Sequence, residues 1–106
     1  KYFAPEYFKV QVAKILNIPN IPEMYLTDIN FKIEDNIAKI NIDAIGENLE
    51  YAFYWYCDNI VIKKEFYSKS KYAELPIESS GAYRVRIFLR NADKEIITKT
   101  SQTIRV

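Results

Sequence analysis

The sequence predicts an all-β fold, an antiparallel sandwich of seven strands preceded by a short helical lead-in. Three observations carry this expectation. From about residue 27 onward, short runs rich in Ile, Val, Tyr, Phe and Thr recur between polar turn clusters, the spacing of a sandwich or barrel. Several runs alternate between apolar and polar side chains, which sends one set inward and the other outward. The 106 residues, 49% hydrophobic and 27% charged, are enough for one core, since folded domains most often run to about 100–150 residues.

Residues 1–25 read differently from the rest. In "APEYFKVQVAKILNIPNIPEM", Pro5 suits the first turn of a helix, while Pro19 and Pro22 stop one. Phe8, Val12, Ile15 and Leu16 then share a helical face. The competing reading, a strand through Phe8, Val10 and Val12, loses its alternation at Ala13 and Lys14, so the helix is the better fit, with "IPNIP" as a linker. The chain opens "KYFAPEY" without an initiating Met, which suggests a piece of a longer or processed protein.

The sandwich is expected over residues 26–106. "TDINFKIE" puts Ile29, Phe31 and Ile33 on one face and ends in the turn residues of "EDN". "IAKINIDAI" places Ala38, Ile40, Ile42 and Ala44 inward, and "GEN" marks the following loop. The third run, "LEYAFYWYC", turns tightly at Asp58 and Asn59 into its hairpin partner "IVIKKEFYS". "YAELPI" is a short fifth run, whose Pro76 lacks a ladder donor and so belongs at an edge or an end. "GAYRVRIFLR" alternates most cleanly, with Tyr83, Val85, Ile87 and Leu89 on one face and Arg84, Arg86, Phe88 and Arg90 on the other. After "NADK", the final run "EIITKTSQTIRV" slips out of alternation near Ser101, as a bulge would make it do.

"ESSGAYRV" is the strongest local signature, because a Gly two residues before a Tyr at a strand start builds the tyrosine corner of immunoglobulin-like sandwiches. Tyr83 is assigned to that corner. Val85 and either Ile40 or Ile42 stand where antibody-type domains have paired cysteines, and Trp55 stands where they have the core tryptophan. Residues 26–106 therefore resemble an immunoglobulin-like or fibronectin type III-like domain without a disulfide. Within that class the tyrosine-rich third run, its hairpin and "GAYRVRIFLRN" look like the three-tyrosine domains that end the sensor region of some bacterial two-component regulators. The three tyrosines match Tyr51 or Tyr54, Tyr67 or Tyr72, and Tyr83. The family's usual Gly- or Pro-rich loop before the sixth run is replaced here by "PIESSG". The resemblance implies a bacterial accessory module, with no catalysis of its own, that supports contacts between larger domains.

Composition excludes several chemistries. With no His, the chain has no Ser–His or Cys–His catalysis, and one Cys without His builds no structural zinc site. The two glycines, Gly46 and Gly81, are too far apart for a phosphate-cradling loop. The acidic residues fall mostly in turns and form no calcium-loop pattern. No catalytic residue, metal site or cofactor is expected. Cys57 has no partner for an internal disulfide and no evident cation to activate it, so it is read as a small half-buried side chain.

The net charge of +1 gives little field for nucleic acid or anionic lipid. The local lysines Lys63, Lys64, Lys69 and Lys71 are interrupted by Glu65 and Glu74, a pattern read as protection of a sheet edge rather than nucleic-acid binding. No apolar run approaches the ~20 residues of a membrane span, and no direct membrane insertion is expected.

Alternation divides "YAFYWYC" into Tyr51, Phe53, Trp55 and Cys57 on the core side and Ala52, Tyr54 and Tyr56 on the other. If the third and sixth runs are neighbours, as strands C and F of the immunoglobulin arrangement are, then Tyr54, Tyr56, Arg84, Arg86, Phe88 and Arg90 form one aromatic and cationic surface. Such a surface can be a self-contained cross-strand ladder. It can also dock a protein partner, either a neighbouring domain of the same polypeptide, another protein or a second copy, because Tyr and Arg dominate interface hot spots. The alternative occupant is an oligosaccharide, stacked on the rings and bonded by the arginines.

Overall fold

A computed structural model describes residues 24–106; the helical lead-in expected over residues 1–25 lies outside the described residues except for its last two. Met24 is buried in the core and Tyr25 opens the first strand.

Every regular element among the described residues is a strand. They are β1 (Tyr25–Glu34), β2 (Ile37–Ile45), β3 (Glu50–Cys57), β4 (Ile60–Ser68), β5 (Tyr72–Pro76), β6 (Ala82–Arg90), β7 (Ile96–Thr100) and β8 (Ile104–Arg105). One sheet has the order β1-β2-β5, and the other β4-β3-β6-β7 with β8 also on β6. All pairs are antiparallel. The two sheets enclose a single core, an all-β sandwich. The expected neighbours, the third and sixth runs, pair in unbroken register from Glu50↔Arg90 to Cys57↔Tyr83.

The turn chemistry explains the hairpins. Asp35 and Asn36 have φ of 52° and 62°, and Asp58 and Asn59 have 51° and 69°. Two successive positive φ angles match the right-handed twist of the flanking strands, and Asn and Asp tolerate them best after Gly. Gly81 answers a different need, close approach, since a Cβ there would stand 2.6 Å from Cys57 Sγ and 3.0 Å from Asp58 Oδ2. The β6 start can thus lie against the β3–β4 turn, where the Ala82 N–H donates to Asp58 Oδ1 at 3.0 Å.

The core follows the alternation. Ala38, Ile40, Ile42, Trp55, Val85, Ile87 and Leu89 are fully enclosed, with Phe31, Tyr51, Phe53 and Tyr83 nearly so. Ile29 and Ile33 share the inward face of β1 with Phe31 but are only half-buried. Phe31 meets Trp55 edge-on, with ring centroids 6.4 Å apart. The Trp55 indole N–H donates to Glu65 Oε2 at 3.1 Å, so burial of the ring leaves no unmet donor. Tyr83 forms the tyrosine corner, its hydroxyl donating to the Ser79 carbonyl at 2.7 Å.

The last expected strand is split into β7 and β8. At the break Ser101 is buried, its N–H donates to the Val85 carbonyl at 2.9 Å, and its Oγ accepts from the Val85 N–H at 2.9 Å. A side-chain oxygen thus substitutes for a backbone acceptor where the ladder skips, and β8 resumes pairing at Ala82 and Tyr83.

Candidate functional site: the outer face of β3 and β6

The sheet pairing puts Tyr54 opposite Arg86, Tyr56 opposite Arg84, Ala52 opposite Phe88 and Glu50 opposite Arg90. All six of the sequence-predicted residues, Tyr54, Tyr56, Arg84, Arg86, Phe88 and Arg90, therefore lie on one outer face, opposite the side chains that fill the core. Ala52 is also on this face but buried. Its small side chain leaves room for Phe88 to lean across the strand boundary onto Tyr54, with centroids 4.8 Å apart and planes tilted by 58°.

Each of the three guanidiniums sits over a ring, two of them closely. Arg84 sits over Tyr56 at 4.2 Å and donates to Asn59 Oδ1 at 2.8 Å. Arg90 sits over Tyr67 at 4.0 Å and donates through Nε to Glu50 Oε1 at 2.7 Å. That hydrogen bond, with the charge behind it, holds the Glu50 carboxyl below its ordinary value against the opposing effect of burial. Burial, partly offset by Arg90, pushes the Tyr67 hydroxyl up. Arg86 differs from Arg84 and Arg90 in being exposed, in reaching its ring, Phe88, only at 5.9 Å, and in making neither a side-chain hydrogen bond nor an ion pair among the described residues.

Glu50 joins the face in step with Ala52, Tyr54 and Tyr56 along β3, but two further members escape alternation in the sequence. Lys64, 5.2 Å from the Tyr54 ring centroid, and Tyr67 lie on β4, whose pairing with β3 shifts register twice, between Tyr51 and Phe53 and between Trp55 and Tyr56. Each shift adds a residue to β4 and breaks the period of two on which face assignment rests.

Chemistry elsewhere is sparse among the described residues. No three His, Cys, Asp or Glu side chains gather to hold a metal ion, and no helix is long and apolar enough to cross a membrane. Cys57 is half-buried and free, packed against the core. A cleft of about 440 Å³ between the loops after β2 and β6 is lined by Ile45, Gly46, Glu47, Asn91, Ala92 and Asp93. Its two carboxylates, Glu47 and Asp93, are both exposed, whereas a carboxylic acid that must stay protonated for acid catalysis is usually desolvated.

No family model matches the sequence, and no curated protein matches it. Among solved structures, a match is the crystal structure of the rat CD45 extracellular region, domains d3-d4, with a TM-score of 0.55 and 13% identity, over 72% of this chain and 48% of that one. The chain thus spans about half the length of that structure. At this identity the likeness bears on fold alone: the protein is an immunoglobulin- or fibronectin type III-like β-sandwich.

Proposed function

We propose that this protein is a non-catalytic interaction module that docks a partner protein domain, of the same polypeptide or of another protein, through the outer face of β3 and β6. The observation that carries the reading is Arg86. Arg84 and Arg90 are each held to their own sheet by a close ring contact and a hydrogen bond, whereas Arg86 reaches Phe88 only at 5.9 Å. Arg86 stands exposed between Tyr54 and Phe88 with no anion at hand among the described residues. An arginine beside two aromatic rings is the composition of an interface hot spot. Neighbours already fixed by stacking lose little freedom on binding, which favours affinity. The resemblance to three-tyrosine domains, with their accessory role in bacterial regulators, points the same way.

Sugar stacking is less well supported, because it needs open ring faces. Tyr56 carries Arg84, Tyr67 carries Arg90, and Tyr54 is packed by Phe88 and Lys64. The test is Arg86→Glu, alongside Tyr54→Ala, in the intact polypeptide with its flanking domains or binding partner. Both variants should weaken domain association at least tenfold (about 1.4 kcal/mol) while the sandwich still unfolds cooperatively. Unchanged association would sink the reading, and amide shifts on β3 and β6 with an oligosaccharide panel would replace it with the carbohydrate one.

A further inference from the structure

The free edge of the same sheet presents a second surface. Among the described residues β4 is the terminal strand in the order β4-β3-β6-β7 and pairs with β3 alone, so alternate backbone N–H and C=O groups point away from β3 without a ladder partner among those residues. Four exposed apolar side chains crowd onto it, Ile60 at 66%, Val61 at 38%, Ile62 at 49% and Phe66 at 72%.

An edge strand is ordinarily guarded by lysines, and this one contains two. Neither is placed as a guard. Lys63 Nζ lies 3.3 Å from Glu65 Oε2, two residues along its own strand. Lys64 leans back over the Tyr54 ring at 5.2 Å, towards β3 and away from the free edge.

We propose that β4 pairs antiparallel with β4 of a second copy of this chain, about a two-fold axis through Lys64. The strand is self-complementary in that register. Lys63 stands opposite Glu65, Ile62 opposite Phe66 and Val61 opposite Tyr67, and symmetry makes each pair twice. The two register shifts of β4 flank the stretch Lys63–Glu65 on either side, so the axis sets one irregular segment against the other and leaves the regular stretch to pair. The two Lys64 side chains, which meet on the axis, are drawn apart over their own Tyr54 rings.

Charge selects the register. A shift by two residues, the smallest that keeps the same faces together, sets Lys63 against Lys63 in one direction and Glu65 against Glu65 in the other. The pairing would join the two five-stranded sheets into one and present both β3–β6 faces on the same side, doubling the docking surface.

The test is sedimentation velocity on the full 106-residue chain, from micromolar concentration to about 1 mM, the weak end of specific association. A monomer–dimer equilibrium is expected. Lys63→Glu and Glu65→Lys, each of which opposes like charges twice, should raise the dissociation constant about tenfold or more, and an equimolar mixture of the two variants should recover association. Because Glu65 also accepts the Trp55 hydrogen bond, Ile62→Lys provides an exposed edge variant that leaves that bond in place and should weaken the dimer as well. A chain that stays monomeric throughout overturns the proposal. So does association indifferent to Lys63→Glu and Ile62→Lys, a folded Glu65→Lys variant whose mixture recovers nothing, or association lost on Arg86→Glu instead.

Discussion

Trp55 ties the two faces of its sheet together. Its ring is fully enclosed between the sheets, and its indole N–H is answered by Glu65 on the edge strand. Trp55→Ala should cost ~3–5 kcal/mol, a large share of the ~5–15 kcal/mol that holds a small domain folded, and urea unfolding should show the midpoint falling or the transition disappearing. The pair Arg90 and Glu50 makes a prediction in pH. Because the Arg90 hydrogen bond, then its charge and those of Lys69 and Lys94, lower the folded-state value of Glu50, the pair's contribution is present above the unfolded-state value. It is lost as pH falls through the lowered one. A carboxyl NMR titration should place the Glu50 midpoint below the ordinary glutamate value, and Arg90→Gln should move it back up.

At the scale of elements, β6 shows how strand and turn chemistry combine. Alternation decides which side chains enter the core, and Gly81 and Asp58 decide where the strand begins. Its far neighbour breaks at Ser101, whose side chain serves the Val85 N–H. Ser101→Ala should leave that buried donor without an acceptor and cost ~1–3 kcal/mol, whereas Ser101→Thr, which keeps the hydroxyl, should cost less if the added methyl fits. Comparing the two by chemical denaturation checks the assignment. These elements also mark what the sequence makes legible. Clean alternation in β2, β3 and β6 marks which side chains enter the core, "ESSGAYRV" marks the Tyr83 corner, and the six residues share a face because β3 and β6 pair as the immunoglobulin-like resemblance implies. β4 was not readable in the same way. Its two added residues destroy the period, so that Tyr67 and Lys64 join the face without any signal in "IVIKKEFYS"; of the two lysines read there as edge guards, Lys64 leans over Tyr54, and Lys63 stays exposed beside Glu65 of its own strand.

For the whole molecule, the fold and the face stand in a definite relation. The sandwich buries one side of β3 and β6 almost throughout, Cys57 at the end of β3 being half-buried, and that support lies beneath rings and guanidiniums that are largely packed on the other side. Among the described residues, Arg86 is the exposed guanidinium of the face and has no anion beside it. The central claim is that a partner domain covers this face, and the most direct measurement is site-specific photo-crosslinking in the intact polypeptide with its flanking domains or partner. A photoreactive residue in place of Arg86 should capture a partner domain, and the same residue in place of Asn41, exposed on the outer face of the opposite sheet, should capture little. Equal capture from both positions, or capture from Asn41 alone, would contradict the account.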